Sequence, residues 1–430
     1  MNVLNRLFKL SENHSTVRQE CLAGLTTFFT MAYIIFINPV ILGSTGMDWQ
    51  SVFVATCLVA ALGSILTGFM SNYPIAVAPG MALNAYFAYV VVQSLGYSWQ
   101  AALGAVFVSG IIFFLLTISR IRNWIVEAIP ENINIGLSVG IGIFIMLLAL
   151  KNIGIININP QIFIGIGDVQ YQVALLFLMG LGFIFIFERL RVPGSIILSI
   201  LVVTIISVLI GINKFQGIYS FPPSMSRTFL ALNLSDILNP AGLSVIFSFV
   251  LVALFDATGT LIGLLSQPKL IENPEKEQRL FYALMADSMA TIAGSLLGTS
   301  STSPFIESAA GIRSGGRTGL TALVVGVLFL LALFFSPLAA TIPSYAASAA
   351  LFYVGLLIIK NVVALNIRDY SEFIPAVVTI TLIPLTLSIA DGLGWGLLSY
   401  IGIKICVGKA RSLNKMLLTL GGVFIVYFCL

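Results

Sequence analysis

Long runs of apolar residues, separated by short polar or charged segments, recur along the whole chain. A helix needs about 20 such residues to cross the hydrocarbon core of a bilayer, where every backbone polar group must be satisfied internally. The pattern therefore predicts an all-α polytopic membrane protein rather than a barrel. The first seven predicted spans cover 22–43, 52–70, 75–94, 100–119, 132–150, 170–187 and 193–212, and the second seven cover 241–265, 281–298, 300–313, 318–336, 343–360, 372–389 and 391–408.

Composition agrees with this pattern. Hydrophobic residues make up 58% of the 430 residues and charged residues only 9%, whereas soluble domains carry about a quarter charged residues. The net charge of +4 is not gathered into a dense basic block, which argues against nucleic acid as a partner. The apolar tail, Met416–Leu430, is short for a span. It can pack into the bundle, lie at the interface or cross imperfectly.

The distribution of Lys and Arg tests the span count and the orientation. With a cytoplasmic N-terminus and fourteen spans, only Lys151, Lys214 and Arg227 of the 21 basic residues fall outside the cell. The others collect on the cytoplasmic side: Arg6, Lys9, Arg18, Arg120, Arg122, Arg189, Arg191, Lys269, Lys276, Arg279, Arg313, Arg317, Lys360, Arg368, Lys404, Lys409, Arg411 and Lys415. We therefore expect a multi-pass protein of the inner (plasma) membrane with its N-terminus in the cytoplasm.

Two halves of seven spans each lie inverted relative to one another, because seven is odd. The third span of each half, which is the third and tenth span of the chain, is interrupted by polar, β-tending or proline-containing sequence, at 71–80 and at 298–304, where short β-like strands are expected. Proline is tolerated at the first position of a helix, so half-helices are predicted to begin at Pro79 and Pro304. Their N-terminal dipoles would then converge on one site. The alternative is a pair of ordinary proline kinks.

Two acids lie where hydrocarbon is expected. Asp256 is inside the eighth span, and Glu307 follows Pro304 by three residues. An ionisable group at that depth is costly unless it pairs or faces a polar cavity, which favours a functional role such as carrying a proton. The alternative is a hydrogen bond that holds helices together. Asp287, in the ninth span, is predicted to make a structural or supporting contact.

The chain resembles the AzgA-like purine permeases of the nucleobase-cation symporter 2 or nucleobase-ascorbate transporter group. The stretches that carry the resemblance are 18–33, 78–87, 254–260 and 298–319. The resemblance implies a core domain of spans 1 to 4 and 8 to 11, residues 1–119 and 241–336. It implies a gate domain of spans 5 to 7 and 12 to 14 with the tail, residues 120–240 and 337–430.

Members of this group import adenine, guanine or hypoxanthine with protons, and bind the base between the two domains. The resemblance transfers the roles of substrate and proton binding to Asp256 and Glu307. It also implies a substrate contact from Asn84, for which a packing role is the alternative. We expect further substrate contacts from Thr30, Thr260, Thr302 and Ser303. The expected partners are a purine base, the lipid bilayer and, in a homodimer, a second copy of the chain, with the proton as coupling ion and neither metal nor organic cofactor.

One position departs from the resemblance. Many relatives carry an Asp three residues before Asp256, where this chain has Ala253, so the preferred purine cannot be transferred from them. An anion or carboxylate transporter of the same fold is the alternative function, although an unpaired Glu307 beside the dipoles would repel an anion. A membrane-embedded enzyme is less compatible, since no HExxH motif or intramembrane His is present.

Overall fold

The computed structural model describes residues 2–119, 121–122, 128–157, 165–167, 170–265, 276–386, 388–410 and 413–429. The first half contains α1 (Asn2–Phe8), α2 (Val17–Met31), α3 (Ile34–Gly43), α4 (Trp49–Ser71), β1 (Val77–Pro79), α5 (Met81–Ala85), which continues as a π-helix (Tyr86–Ser94), α6 (Trp99–Ile118), α7 (Glu131–Asn152), β2 (Ile156–Asn157), β3 (Gly165–Ile166), α8 (Tyr171–Arg189) and α9 (Ser195–Leu209). The predicted apolar spans therefore fall on helices or on the strand and helix of β1–α5.

The second half has the same character. It contains α10 (Pro240–Leu265), α11 (Lys276–Leu297), β4 (Thr302–Pro304), α12 (Ser308–Arg313), α13 (Gly319–Ala332), a 3₁₀ turn (Leu333–Phe335), α14 (Ser336–Thr341), α15 (Ser344–Ile359), a second 3₁₀ turn (Lys360–Ala364), α16 (Tyr370–Thr386), α17 (Ile389–Cys406) and α18 (Lys415–Cys429). Within the described ranges, ten helical segments are long and apolar enough to cross a membrane. Two interrupted segments and the shorter apolar helices α9, α16 and α18 accompany them.

The two interrupted segments meet at their strands. β1 and β4 pair antiparallel, with Val77 opposite Pro304 and Pro79 opposite Thr302. Backbone hydrogen bonds close the pairing at both ends, from Gly80 N to Ser301 O at 2.9 Å and from Phe305 N to Ala76 O at 2.9 Å. All six paired residues are buried. The pairing satisfies extended backbone that would otherwise be costly inside a membrane protein.

The predicted starts of the half-helices were wrong by a few residues. Pro79 and Pro304 lie in the strands, and the helices begin at Met81 and Ser308. Proline's fixed φ suits extended backbone as well as the first turn of a helix. The sequence did not distinguish between these two uses because the partner of each strand lies in the other half of the chain.

A buried acid fixes α2 against the second half of the chain. The carboxylate of Glu20, in α2, accepts hydrogen bonds from the backbone N–H groups of Arg317 and Thr318 at 3.0 and 3.3 Å, and from the hydroxyls of Ser15 and Thr321 at 2.6 and 2.5 Å. An acid at the start of α13 is also favoured by the helix dipole. This contact helps to position α2, which contributes residues to the cavity described below.

The C-terminal tail packs into the bundle. Tyr427, near the end of α18, donates a hydrogen bond to Asp391 Oδ1 at 3.0 Å, near the start of α17, so the two helices run antiparallel. Phe424 is fully buried, and its ring lies 5.6 Å from that of Phe247 in α10. Of the alternatives for the tail, the structure shows packing against other helices.

Candidate functional site

A cavity of about 620 Å³ lies where β4, α10 and α12 face α7 and α15. This size is typical of a pocket for a small organic molecule. Five of the residues predicted to bind substrate line it: Thr30, Asp256, Thr260, Ser303 and Glu307. Side chains from α2, from α10 and from the interrupted segment of the second half therefore converge on one cavity.

Glu307 is held at the cavity wall by the first half of the chain. It immediately precedes α12, and its Oε1 accepts a hydrogen bond from the hydroxyl of Tyr33. Tyr33 is 1% exposed and lies in the turn that separates α2 from α3. The hydroxyl of Thr30 lies 3.5 Å from the Glu307 carbonyl oxygen. A buried donor aimed at one oxygen leaves the other available to a ligand.

Asp256 faces the same cavity from the middle of α10 and is only partly buried. Gly80 lets it approach the strand pair, because a Cβ at that position would lie 2.8 Å from Ser303 Oγ and 3.4 Å from Asp256 Oδ2. Asp256 also interacts electrostatically with Glu307. Carboxyl groups that face a polar cavity inside a membrane protein can take up and release protons there.

Asp287 lies behind the strand rather than in the cavity. It is fully buried, and its Oδ1 accepts a hydrogen bond from Thr302 Oγ1 at 2.9 Å. Thr302 also bonds the hydroxyl of Thr291 at 2.9 Å. Thr302 thus contacts Asp287 and is not among the residues that line the cavity. The structure supports a role for Asp287 in holding β4 in place.

Asn84 is fully buried in α5 and is likewise outside the cavity lining. Neither atom of its side-chain amide has a hydrogen-bond partner among the described residues. Leaving a buried polar group unpaired costs about 1–3 kcal/mol. Contact between Asn84 and a substrate stays a prediction.

The sequence did not single out several residues that the structure brings to the site. Tyr33 stands in one of the motifs, but nothing in the local pattern shows that its hydroxyl reaches Glu307. Asn134 and Ser138 of α7 and Tyr353 of α15 line the opposite wall of the cavity. Asn134 and Ser138 could have been predicted, because two polar residues spaced four apart lie on one face of an otherwise apolar helix.

Comparison with known proteins gives the family. Residues 18–394 match the Permease family, Xan_ur_permease. The chain is 44% identical over 424 residues to the adenine permease AdeP of Escherichia coli, covering 99% of this chain and 95% of that protein. It is 38% identical over 430 residues to the guanine/hypoxanthine permease PbuO of Bacillus subtilis, covering 98% and 99% of the two chains.

Solved structures show the same fold in distant proteins. The transmembrane domain of the cyanobacterial bicarbonate transporter BicA superposes with a TM-score of 0.66 at 16% identity, covering 88% of this chain and 97% of that one. The murine anion transporter Slc26a9, in its inward-facing state, superposes with a TM-score of 0.64 at 13% identity, covering 91% and 68%. Such low identities show the fold alone. The extent of the sequence matches establishes that this chain is a member of the Permease family, and so a transporter rather than an enzyme.

Proposed function

We propose that this protein imports purine nucleobases, with adenine or guanine and hypoxanthine as substrates, and couples their entry to protons. The observation that carries the proposal is the presence of Asp256 and Glu307 on one cavity wall, beside the antiparallel strand pair. Purines offer ring N–H donors and acceptor nitrogens, and carboxyl groups can accept from the donors. Relatives of the chain are named for adenine and for guanine/hypoxanthine.

The proposed topology has fourteen crossings arranged as two inverted halves. The antiparallel pairing of β1 with β4, each followed by a short helix, supports it, because inversion would make equivalent segments run in opposite directions at their meeting point. The cavity lies between elements assigned to the core, such as α10 and α12, and elements assigned to the gate, α7 and α15. This arrangement is what the proposed division into domains requires.

The conformation fits a state that is open to the cytoplasm. The cavity extends to Glu188 at the end of α8, Arg313 at the end of α12 and Asn361 beyond α15, positions that the charge distribution assigns to the cytoplasmic side. On the opposite side, Tyr89 of the proposed core donates a hydrogen bond to Asn152 of the proposed gate at 2.8 Å. Rocking or sliding of the core against the gate would close the first side and open the second.

Transport of an anion on the same fold is disfavoured by the site. Three acids, Glu188, Asp256 and Glu307, line the cavity against one basic residue, Arg313, and like charges repel strongly where water is scarce. Uncharged purines avoid that repulsion. The distant anion transporters with this fold therefore do not indicate the substrate of this chain.

The test is uptake of radiolabelled adenine, guanine, hypoxanthine and uracil by cells that lack their own purine permeases. We expect saturable uptake of at least one purine, with accumulation that a protonophore abolishes. Uptake of none of the purines would overturn the proposed substrate class. Purine accumulation that survives the protonophore would overturn proton coupling and leave the substrate class standing.

A further inference from the structure

Arg122 is a charged side chain in an unexpected place. It follows α6 in the connection toward α7, where the sequence suggested a cytoplasmic loop, yet it is only 1% exposed. Its guanidinium lies over the ring of Phe113, with 4.5 Å between Cζ and the ring centroid. Burying a permanent positive charge is costly unless it is paired and hydrogen-bonded. The groups that contact Arg122 therefore indicate its role.

The guanidinium reaches the back of the cavity wall. Its Nε donates to Thr258 Oγ1 at 3.0 Å, and its Nη2 donates to the same oxygen and to Leu254 O at 3.4 Å. Thr258 lies two residues after Asp256 on α10 and lines the cavity. Arg122, which does not itself line the cavity, thus holds the stretch of α10 that carries Asp256.

The positive charge of Arg122 also lies near a buried acid. Arg122 interacts electrostatically with Asp287 of α11. Within the described ranges, the Nη1 of Arg122 has no hydrogen-bond partner. Because Leu254 and Thr258 flank Asp256 along α10, the buried cation lies within about one helical turn of that carboxyl group.

We infer that Arg122 is a positioning residue of the transport site: it fixes the stretch of α10 that carries Asp256 through its hydrogen bonds to Thr258 and Leu254. The inference rests on the proposed function, since it concerns the acids that would carry the proton. A fixed cation nearby favours the charged form of a carboxyl group. Loss of the buried cation would therefore shift the pH range of uptake, although Arg122 is not among the residues that line the cavity.

The experiment compares purine uptake as a function of pH for wild type, Arg122→Gln, Arg122→Lys and the matched control Arg368→Gln, an exposed arginine. Loss of the cation in Arg122→Gln favours the neutral acids, so the alkaline decline of uptake should move up by roughly one pH unit. Arg122→Lys keeps the charge but lacks the fork of donors. Arg122→Lys should therefore show the pH profile of wild type but a higher KM for the purine than wild type.

A purely structural role gives a different result. Arg122→Gln and Arg122→Lys would then both lower the maximal rate and the amount of protein in the membrane, with the pH profile unchanged, and the inference would be overturned. Wild type and Arg368→Gln must transport for this comparison. Absence of uptake in both would instead refute the proposed function, and the inference with it.

A second variant keeps the test decisive if Arg122→Gln fails to reach the membrane. Thr258→Val retains the arginine and removes the oxygen that accepts its two hydrogen bonds. We expect it to raise the KM, and we expect Arg122→Lys combined with Thr258→Val to raise it no further, because both act on one contact. Additive effects of the two substitutions on KM would overturn the proposed positioning through Thr258.

Discussion

Replacing Tyr33 with Phe removes the hydroxyl that donates to Glu307 and leaves the ring in place. Tyr33 is 1% exposed, so its hydroxyl is held in place by packing, whereas a water molecule in the cavity would be a mobile substitute. A hydrogen bond to a charged group contributes about 1.5–3 kcal/mol. Since 1.4 kcal/mol corresponds to a factor of ten, we expect kcat/KM for purine uptake to fall by roughly 10- to 150-fold.

The assay is initial uptake of radiolabelled adenine over a range of concentrations, normalised to the amount of protein in the membrane. Tyr171→Phe is the matched control, because Tyr171 is 79% exposed at the start of α8, and it should transport as wild type does. If Tyr33→Phe retains kcat/KM within about twofold of wild type, its hydroxyl does not support Glu307 in transport, and the geometry described for the site is not the working one.

Two further predictions concern conformation and packing. Tyr89→Phe removes the hydrogen bond to Asn152 and should shift the conformational equilibrium away from the cytoplasm-open state by about 1 kcal/mol. Cysteines introduced on the extracellular side of a cysteine-free background should then be labelled faster. An unchanged labelling rate would contradict the prediction. Gly319→Ala should destabilise the protein by about 1–3 kcal/mol, because a Cβ there would collide with the backbone of Gly68. Thermal unfolding in detergent checks this, with Gly402→Ala, which meets nothing within 4 Å, as a neutral or stabilising control, and equal melting temperatures would refute it.

The helical segments could be predicted from the sequence because the bilayer imposes a length on each apolar run. The interruptions at 71–80 and 298–304 were visible because proline and polar residues replace the expected apolar pattern. Their pairing was not visible, since β1 and β4 belong to different halves and no local signal joins Val77 to Pro304. The misplaced starts of the half-helices follow from that long-range contact.

The site could be predicted only in part. Asp256 and Glu307 stood out because charge is expensive in hydrocarbon, and both line the cavity. Arg122 did not stand out, because a cation next to a span is normally a solvated loop residue, and only the tertiary structure shows that it is buried against Thr258. Thr302 and Ser303 were both predicted to contact the substrate, but successive side chains of a strand point to opposite faces. Ser303 lines the cavity, whereas Thr302 contacts Asp287.

The most direct test of the central claim is the transport behaviour of Glu307→Gln. Glutamine can still accept a hydrogen bond from Tyr33 but cannot bind and release a proton. We predict that the variant exchanges internal for external labelled purine and no longer accumulates it against a gradient, whereas wild type does both. Accumulation by Glu307→Gln to the level of wild type, sensitive to a protonophore, would contradict the claim that this acid couples purine entry to protons.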